Sequence, residues 1–483
     1  MHFRPFILAG LFATIAAAPW LAQASDQPPG WSHDMRLPES PDRNPDPRIV
    51  EINLAAQVAN VPVGDGRTVQ AWTYNGGLPG PLIRVQVGQR LIVHFTNSLP
   101  DPTTVHWHGL RVPIQMDGVP GHSQPEVPPG GTFTSDFVVP DAGFYWYHPH
   151  VMSAAQVGFG LYGPLLVEDP EDQVGTEDEL LLVLSDIALD DQNKLEPPDS
   201  GGSTGMAFGR EGNVVLVNGR PASTLTVRSG ARQRWRIVNA AKSRYFLLDM
   251  DDQPFVQIGG DGGLNEHSTE TTKLLLATGE RADVLVTPKG VPGKDIIVRS
   301  FLHNRGYGSI EYRTDSELFT IKFADMPPID AGPAPDVRRE IQPVARAGAT
   351  EVKLDFTIKQ DRDGVFEYGV NGVPHWTAKP LLAKPGETQI WTLNNTTPWS
   401  HPFHLHGFFF QVLDAKGEPV RPLAWKDTVN VPFKESVRVI VRFDEDRPGT
   451  WMFHCHILDH ADGGLMGTVQ VGESSTIALP HKH

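Results

Sequence analysis

The chain has 483 residues, enough for about three domains of ordinary size. It sets 41 Lys+Arg against 57 Asp+Glu, a formal net charge of -16, and has no basic arm or stripe, so its charge gives nucleic-acid binding no support. The 47 Gly and 43 Pro beside 40% hydrophobic residues indicate many short strands and turns rather than disorder, and a single cysteine excludes an intramolecular disulfide framework.

The first 24 residues read as an export leader. Arg4 precedes an apolar run from Phe6 to Ala18, and Ala22-Gln23-Ala24 supplies a small-x-small cleavage site before Ser25. The run is too short to span a membrane, and no later apolar stretch approaches the length of a span. The expectation is an exported protein, periplasmic or secreted, with no membrane span. No Arg-Arg pair is present there, which favours general export. Exported proteins usually pair their cysteines, so the lone Cys455 is either buried and inert or a metal ligand. Residues 25–48 are rich in Pro and Asp and predict a loosely ordered start.

A weak repeat then recurs three times. Asn75-Gly76, Gly88 and Asn97 mark the first copy, Asn218-Gly219, Gly230 and Asn239 the second, and Asn371-Gly372, Gly386 and Asn394 the third. After each Gly the sequence alternates, as in Leu91, Val93, Phe95 and again in Trp235, Ile237, the period of a half-buried strand. Short strands, dense turns and no long helical period predict an all-β chain of three related Greek-key β-sandwiches. Acidic turn-rich sequence at 163–179 and Pro/Ala-rich sequence at 326–349 place the boundaries. The expected order is domain one over 25–170, domain two over 171–330, a linker over 331–348 and domain three over 349–483. Residues 188–212 look like a long surface loop of domain two.

Ten of the 19 histidines fall in four clusters: His106 with His108, His148 with His150, His401 with His404 and His406, and His454 with His456 and His460. On a strand, residues two apart face the same side, about 6.6 Å apart along the chain, so each HxH pair aims two imidazoles one way. One such pair is weak evidence of a metal site. Four pairs with a thiol exceed the tetrahedral shell of a single zinc. If His454 and His456 face one way, Cys455 faces the other, where it can join His401 and His460. That is a His₂Cys set, the ligand type of a blue-copper electron-transfer site. One residue of backbone then links this site to a histidine cluster on the opposite face.

The motifs "HWHG", "WYHPH", "HPFHLHG" and "HCHILDHADGGLM" resemble the copper motifs of three-domain multicopper oxidases of the bacterial laccase-like kind. The resemblance spans essentially the whole chain beyond the leader and implies cupredoxin-like domains. It implies four coppers: a type 1 copper on Cys455, His401 and His460, a type 2 copper on His106 and His404, one type 3 copper on His108, His148 and His456, and another on His150, His406 and His454. The cluster of three would lie between domains one and three, with domain two a spacer that also shapes the substrate side. The implied reaction takes single electrons from small aromatic donors, phenols or aromatic amines, and reduces O₂ to water. His454, Cys455 and His456 would carry the electrons, and a monomer is expected.

The repeat supports this, because "PDAGFYWYHPH" matches "EDRPGTWMFHCH" with Pro149 standing where Cys455 stands. The axial position of the type 1 site is Leu465, non-coordinating, where many bacterial relatives have Met. Met466 is next door and should point away, and losing a thioether ligand should raise the potential. Asp117 matches a family carboxylate near the type 2 copper, suited to proton supply. The family's second acid position is Ala461 here, with Asp459 and Asp462 as flanking substitutes. His33, His94, His122, His267, His303 and His375 are isolated and read as surface or packing residues. A metal-ion oxidase for Cu(I), Fe(II) or Mn(II) is the first rival; it needs a carboxylate or thioether site beside the type 1 copper, which the sequence does not locate. A copper-free scaffold of the same fold is the second, weakened by the intact ligand set.

Overall fold

The computed structural model describes residues 25–473 other than 65, 173, 175–177, 307–314 and 338. The leader over 1–24 and the tail with His481 and His483 lie outside the described residues. Strands form six sheets in three facing pairs, each pair closed over its own apolar core. The chain is all-β, as expected.

The three pairs share one wiring. A long strand opens each: Ile49–Pro62, Glu179–Ile187 and Thr350–Gln360. Each is antiparallel to one neighbour and parallel to another: Arg90–Ser98, Gln233–Asn239 and Thr388–Asn395 respectively. Parallel neighbours require a crossover through the second sheet, which gives the Greek-key arrangement. Asn75, Asn218 and Asn371 have φ of 52°, 52° and 54°, and the glycine after each has φ of 77°, 77° and 79°. Two successive left-handed residues make a type I′ turn, for which Asn-Gly is the favoured pair. Each Asn Oδ1 also accepts a backbone N–H of the long strand, from Ala55, Val183 and Asp355, at 2.7, 2.7 and 2.8 Å.

The last landmark of the third copy shifts by one residue. Asn97 and Asn239 accept from the backbone two residues on and donate across to Val127 and Leu276 carbonyls. In the third sandwich Asn395 makes these bonds, to Thr397 N and Val431 O, whereas Asn394 faces Asp355 on the surface.

Three connecting segments are more firmly tied down than their sequences suggest. Residues 25–48 are not loose: Met35 is buried in the second sandwich's core with Trp31 against it, and Asn218 donates to the Met35 carbonyl at 2.6 Å. The stretch over 331–348 is a strap, with Val337 buried against Ile258 and Leu285 and Arg339 donating to the Gly262 carbonyl at 2.7 Å. The 188–212 segment contains a helix, Gly202–Phe208, and runs onto the third sandwich. Among the described residues no helix is long and apolar enough to cross a membrane.

Candidate metal centre

Two strand pairs deliver the histidines. Strand His106–His108 pairs with Gly143–His148, setting His106 opposite His148. Strand His401–Leu405 pairs with Gly449–Cys455, setting His404 opposite His454 and Phe403 opposite Cys455. The first and third sandwiches meet with these pairs face to face. His108 stacks on His404 at 3.8 Å and 13°, and His106 on His406 at 4.0 Å and 24°. The exchange of partners marks an approximate twofold relation between the halves.

Donor atoms converge in sets. His108, His148 and His456 form one, His150, His406 and His454 its twofold counterpart, and His106, His108 and His404 lie between. In each set one ligand atom per residue lies within 4.8 Å of the others. Four of the outward nitrogens are already engaged. His106 Nδ1 donates to the Asp117 carbonyl at 2.7 Å and His404 Nδ1 to that of Asp427 at 3.0 Å. His148 and His454 donate from Nδ1 to the carbonyls of Pro149 and Cys455, at 3.0 and 2.8 Å.

These bonds fix the tautomer and leave Nε2 of His106, His148 and His404, and Nδ1 of His108, buried with no protein partner. The Nε2 of His454 lies 3.1 Å from that of His406 and 3.4 Å from that of His150. Lone pairs converging in this way repel unless a cation lies among them, so the donor set fits metal ions. Burial, reinforced by neighbouring rings, pushes the pKa of His148, His150, His454 and His456 well below the ordinary value and that of His406 to about 3. Neutral imidazole, the ligand form, is therefore the form present at neutral pH.

Cys455 points the other way, into the core of the third sandwich. Its Sγ lies 3.4 Å from His401 Nδ1 and 3.7 Å from His460 Nδ1, with 3.0 Å between the two nitrogens. His401 Nε2 meets Thr397 Oγ1 at 2.7 Å and His460 Nε2 the Ala207 carbonyl at 3.2 Å, so both rings present Nδ1 inward. Leu465 and Phe403 lie in the same apolar cluster as Cys455, whereas Met466 packs elsewhere, with Val119, Met452 and Ala461. Burial raises the Cys455 thiol, so a metal that takes the thiolate must displace a proton.

The carboxylates divide by environment. Asp117 Oδ2 accepts from His406 Nδ1 at 2.8 Å. Burial opposes its ionisation, yet His406 and His106 beside it hold the carboxyl below its usual range. Asp459 is fully buried, ion-paired with Arg210 and hydrogen-bonded to Ser243 at 3.0 Å. Asp462 is partly open to solvent, yet its carboxylate accepts from Ala154 N at 2.9 Å and the protein packed around it raises the carboxyl to about 6.

Sequence reasoning missed Asp427. Its Oδ1 lies 3.2 Å from His108 Nε2 and 3.3 Å from His404 Nδ1. It is the twofold counterpart of Asp117, but it lies much further from His404 in sequence than Asp117 does from His106, so no shared spacing exposes it. Domain two is also more than a spacer. Thr278 Oγ1 donates to the His456 carbonyl at 2.8 Å, Gly279 has room for no side chain beside His456 and His108, and Arg281 pairs with Asp427. Helix Gly202–Phe208 covers His460, and Tyr368, stacked on His460 at 4.4 Å, donates to the Met206 and Ala207 carbonyls.

Histidine pairs closing between two sandwiches, with a cysteine site on the back of the same strand, define a class of copper-dependent oxidoreductases that use O₂ as acceptor. The chain belongs to the multicopper oxidase family: multicopper oxidase family models match residues 55–172, 178–309 and 347–475. It is 33% identical over 460 residues to the multicopper oxidase MmcO of Mycobacterium tuberculosis, with 86% of each chain covered. A multicopper oxidase from Campylobacter jejuni, described as a metallo-oxidase, superposes with a TM-score of 0.80 at 26% identity over 95% of this chain and 99% of that one. A laccase-like multi-copper oxidase from Ochrobactrum sp., with oxidase activity towards lignin model compounds, gives 0.77 at 25% identity over 90% and 100%.

Proposed function

We propose that this chain is an exported, monomeric, laccase-like oxidase that holds four coppers and takes single electrons from phenols or aromatic amines. Cys455, His401 and His460 would hold the type 1 copper. His106 and His404 would hold the type 2 copper, and the two further histidine triads the type 3 pair. Bound copper would supply one-electron acceptance at Cys455 and four-electron reduction of O₂ to water at the histidine cluster. The observation that carries this reading is the single strand Gly449–Cys455, which runs on to His456. Cys455 faces one donor set, while the residues on either side of it belong to two others. On this reading the electron entry and the oxygen site would lie a residue of backbone apart.

The remaining roles follow from the chain's own groups. Asp117 keeps its charge against His106 and His406, which orients both rings and favours protons moving toward the cluster. Asp462, raised to about 6, keeps a proton at mildly acidic pH and is the better second acid. Asp459 is tied to Arg210 and serves to anchor the 188–212 segment. The leader pattern over 1–24 supports export.

One observation favours a second reading, oxidation of a metal ion. His401 and His460 are fully buried, and helix Gly202–Phe208 covers His460. Met206 of that helix lies against Gly463, a soft thioether beside the Cys455 site that the sequence did not locate. Oxygen uptake by the copper-loaded protein separates the readings. Fast uptake with a methoxyphenol and little with Cu(I) or Fe(II) supports the organic donor, and the reverse preference moves the function to metal-ion oxidation.

A further inference from the structure

Arg281 belongs to the second sandwich, the one without a histidine cluster, yet its side chain is fully buried where all three sandwiches meet. Its Nη1 donates to Asp427 Oδ1 at 2.8 Å and its Nη2 to Asp427 Oδ2, a bidentate pairing with the third sandwich. Nη1 also reaches the Gly279 carbonyl at 2.8 Å and Nη2 that of Asp261 at 2.9 Å. Nε reaches the Phe144 carbonyl of the first sandwich at 3.3 Å. Every guanidinium nitrogen is thus engaged, and the fork has one orientation.

Asp427, so held, faces two rings from different sandwiches. Its Oδ1 is 3.2 Å from His108 Nε2, and Thr428 Oγ1 lies 3.3 Å from the same nitrogen. Its carbonyl accepts from His404 Nδ1. The twofold counterpart, Asp117, makes the same two kinds of contact, to His106 and His406. Among the described residues no lysine or arginine pairs with Asp117. The matched halves therefore differ in the ring nitrogen that faces the carboxylate, Nε2 of His108 against Nδ1 of His406, and in a cation from the second sandwich behind Asp427 only.

We infer that Arg281 is a positioning residue of the histidine cluster. By clamping Asp427 it keeps the proton of His108 on Nε2, so that Nδ1 faces the other donors, and it holds His404 with Nε2 inward. His108 is the ring for which this matters most, since it presents Nδ1 where His106, His148 and His404 present Nε2. The inference rests on the metal-binding reading of the cluster, and its first test does not need copper.

In metal-free protein, nitrogen NMR of the histidine rings should report His108 with its proton on Nε2, and Arg281→Gln should mix the two tautomers. With copper, Arg281→Gln should lower the cluster's affinity by about 10- to 100-fold while the copper on Cys455 keeps its visible colour. Arg281→Lys should recover part of the loss, because a lysine restores the charge but not the fork. The double variant Arg281→Gln/Asp427→Asn should be no worse than the poorer single variant, as expected if the two act as one unit.

An unchanged His108 tautomer with full cluster loading in Arg281→Gln would overturn the inference. So would equal loss of both copper signals in Arg281→Gln that keeps its fold. Should Arg281→Gln not fold, the tautomer in Arg281→Lys decides, with a pure Nε2–H ring and normal loading in Asp427→Asn overturning it. Wild-type protein that shows the tautomer but takes no copper in the cluster would sink the metal reading and leave the clamp standing.

Discussion

The first and third sandwiches build the same strand and helix and use them differently. Gly143–His148 leads to helix Ser153–Gly158, and Gly449–Cys455 leads to helix Leu458–Asp462. In the third sandwich His401, Cys455 and His460 face one another. The positions that match them in the first, by offset from His106 and His148, are Thr103, Pro149 and Ala154. There Thr103 Oγ1 donates to Gln156 Oε1 at 2.7 Å, and Gln156 Nε2 donates to the Pro102 carbonyl at 2.9 Å. Both side chains are fully buried. A site made within one sandwich is dispensable in the other copy and can be filled by hydrogen-bonded side chains. A site made between two sandwiches needs both, and all eight HxH histidines stand at the junction.

The sharpest way to break that asymmetry is Cys455→Ser. It removes the one soft ligand that the third sandwich has and the first lacks. The visible colour and donor oxidation should fall to background, while the histidine cluster still takes up copper, as metal analysis would count. Next comes Asp117→Asn, which keeps an acceptor for His406 but discards the charge. Oxygen reduction should fall about 10- to 100-fold with the colour unchanged, and undiminished turnover would remove the role assigned to that carboxylate.

Much of this was legible in the sequence because the informative residues are close along the chain. HxH pairs on strands, Asn-Gly turns and the Pro149/Cys455 substitution are all local patterns. Asn394 stands first in an Asn-Asn pair, but Asn395 alone keeps the nine-residue interval from the glycine found in the other two copies, and the cross-strand bonds agree with that interval. Asp427 and Arg281 were invisible for a different reason. Each is an ordinary charged residue whose partners come from other sandwiches, and no spacing encodes a junction of three domains. Helix Gly202–Phe208 escaped because "GSTGMAF" has neither helical period nor a side-chain cap. Asp459 and Asp462 could be separated only once Arg210 was seen to occupy the former.

Asp462 sharpens the comparison at the contact between the two helices, where it accepts from Ala154 N. Its folded pKa of about 6 lies above the ordinary 3.8. Below 3.8 the group is protonated whether folded or not, so it has no effect. Between 3.8 and 6 the unfolded chain releases its proton first, and stability declines as pH rises; above 6 the loss is complete. Asp462→Asn keeps the acceptor and does not titrate. Urea unfolding should find it slightly more stable than the parent at pH 8, by less than the full shift implies because solvent reaches the Asp462 side chain, and equal at pH 3. A smaller change is Leu465→Met, which offers the Cys455 site a thioether. The potential should drop, by about 59 mV for each tenfold gain in relative affinity for the oxidised ion. An unchanged potential would mean that residue 465 does not face the metal.

The mildest change tests the filled site of the first sandwich. Gln156→Ala leaves the Thr103 hydroxyl and the Pro102 carbonyl without their partner in a fully buried pocket, and the removed side chain leaves a cavity. Buried polar groups without partners cost about 1–3 kcal/mol each, so unfolding should shift measurably. Oxygen reduction and colour should stay at parental levels, because Gln156 touches none of the converging nitrogens. If turnover fell while stability held, the pair would belong to the working site rather than to a vestige of one. The two sandwiches would then differ less in function than their residues suggest.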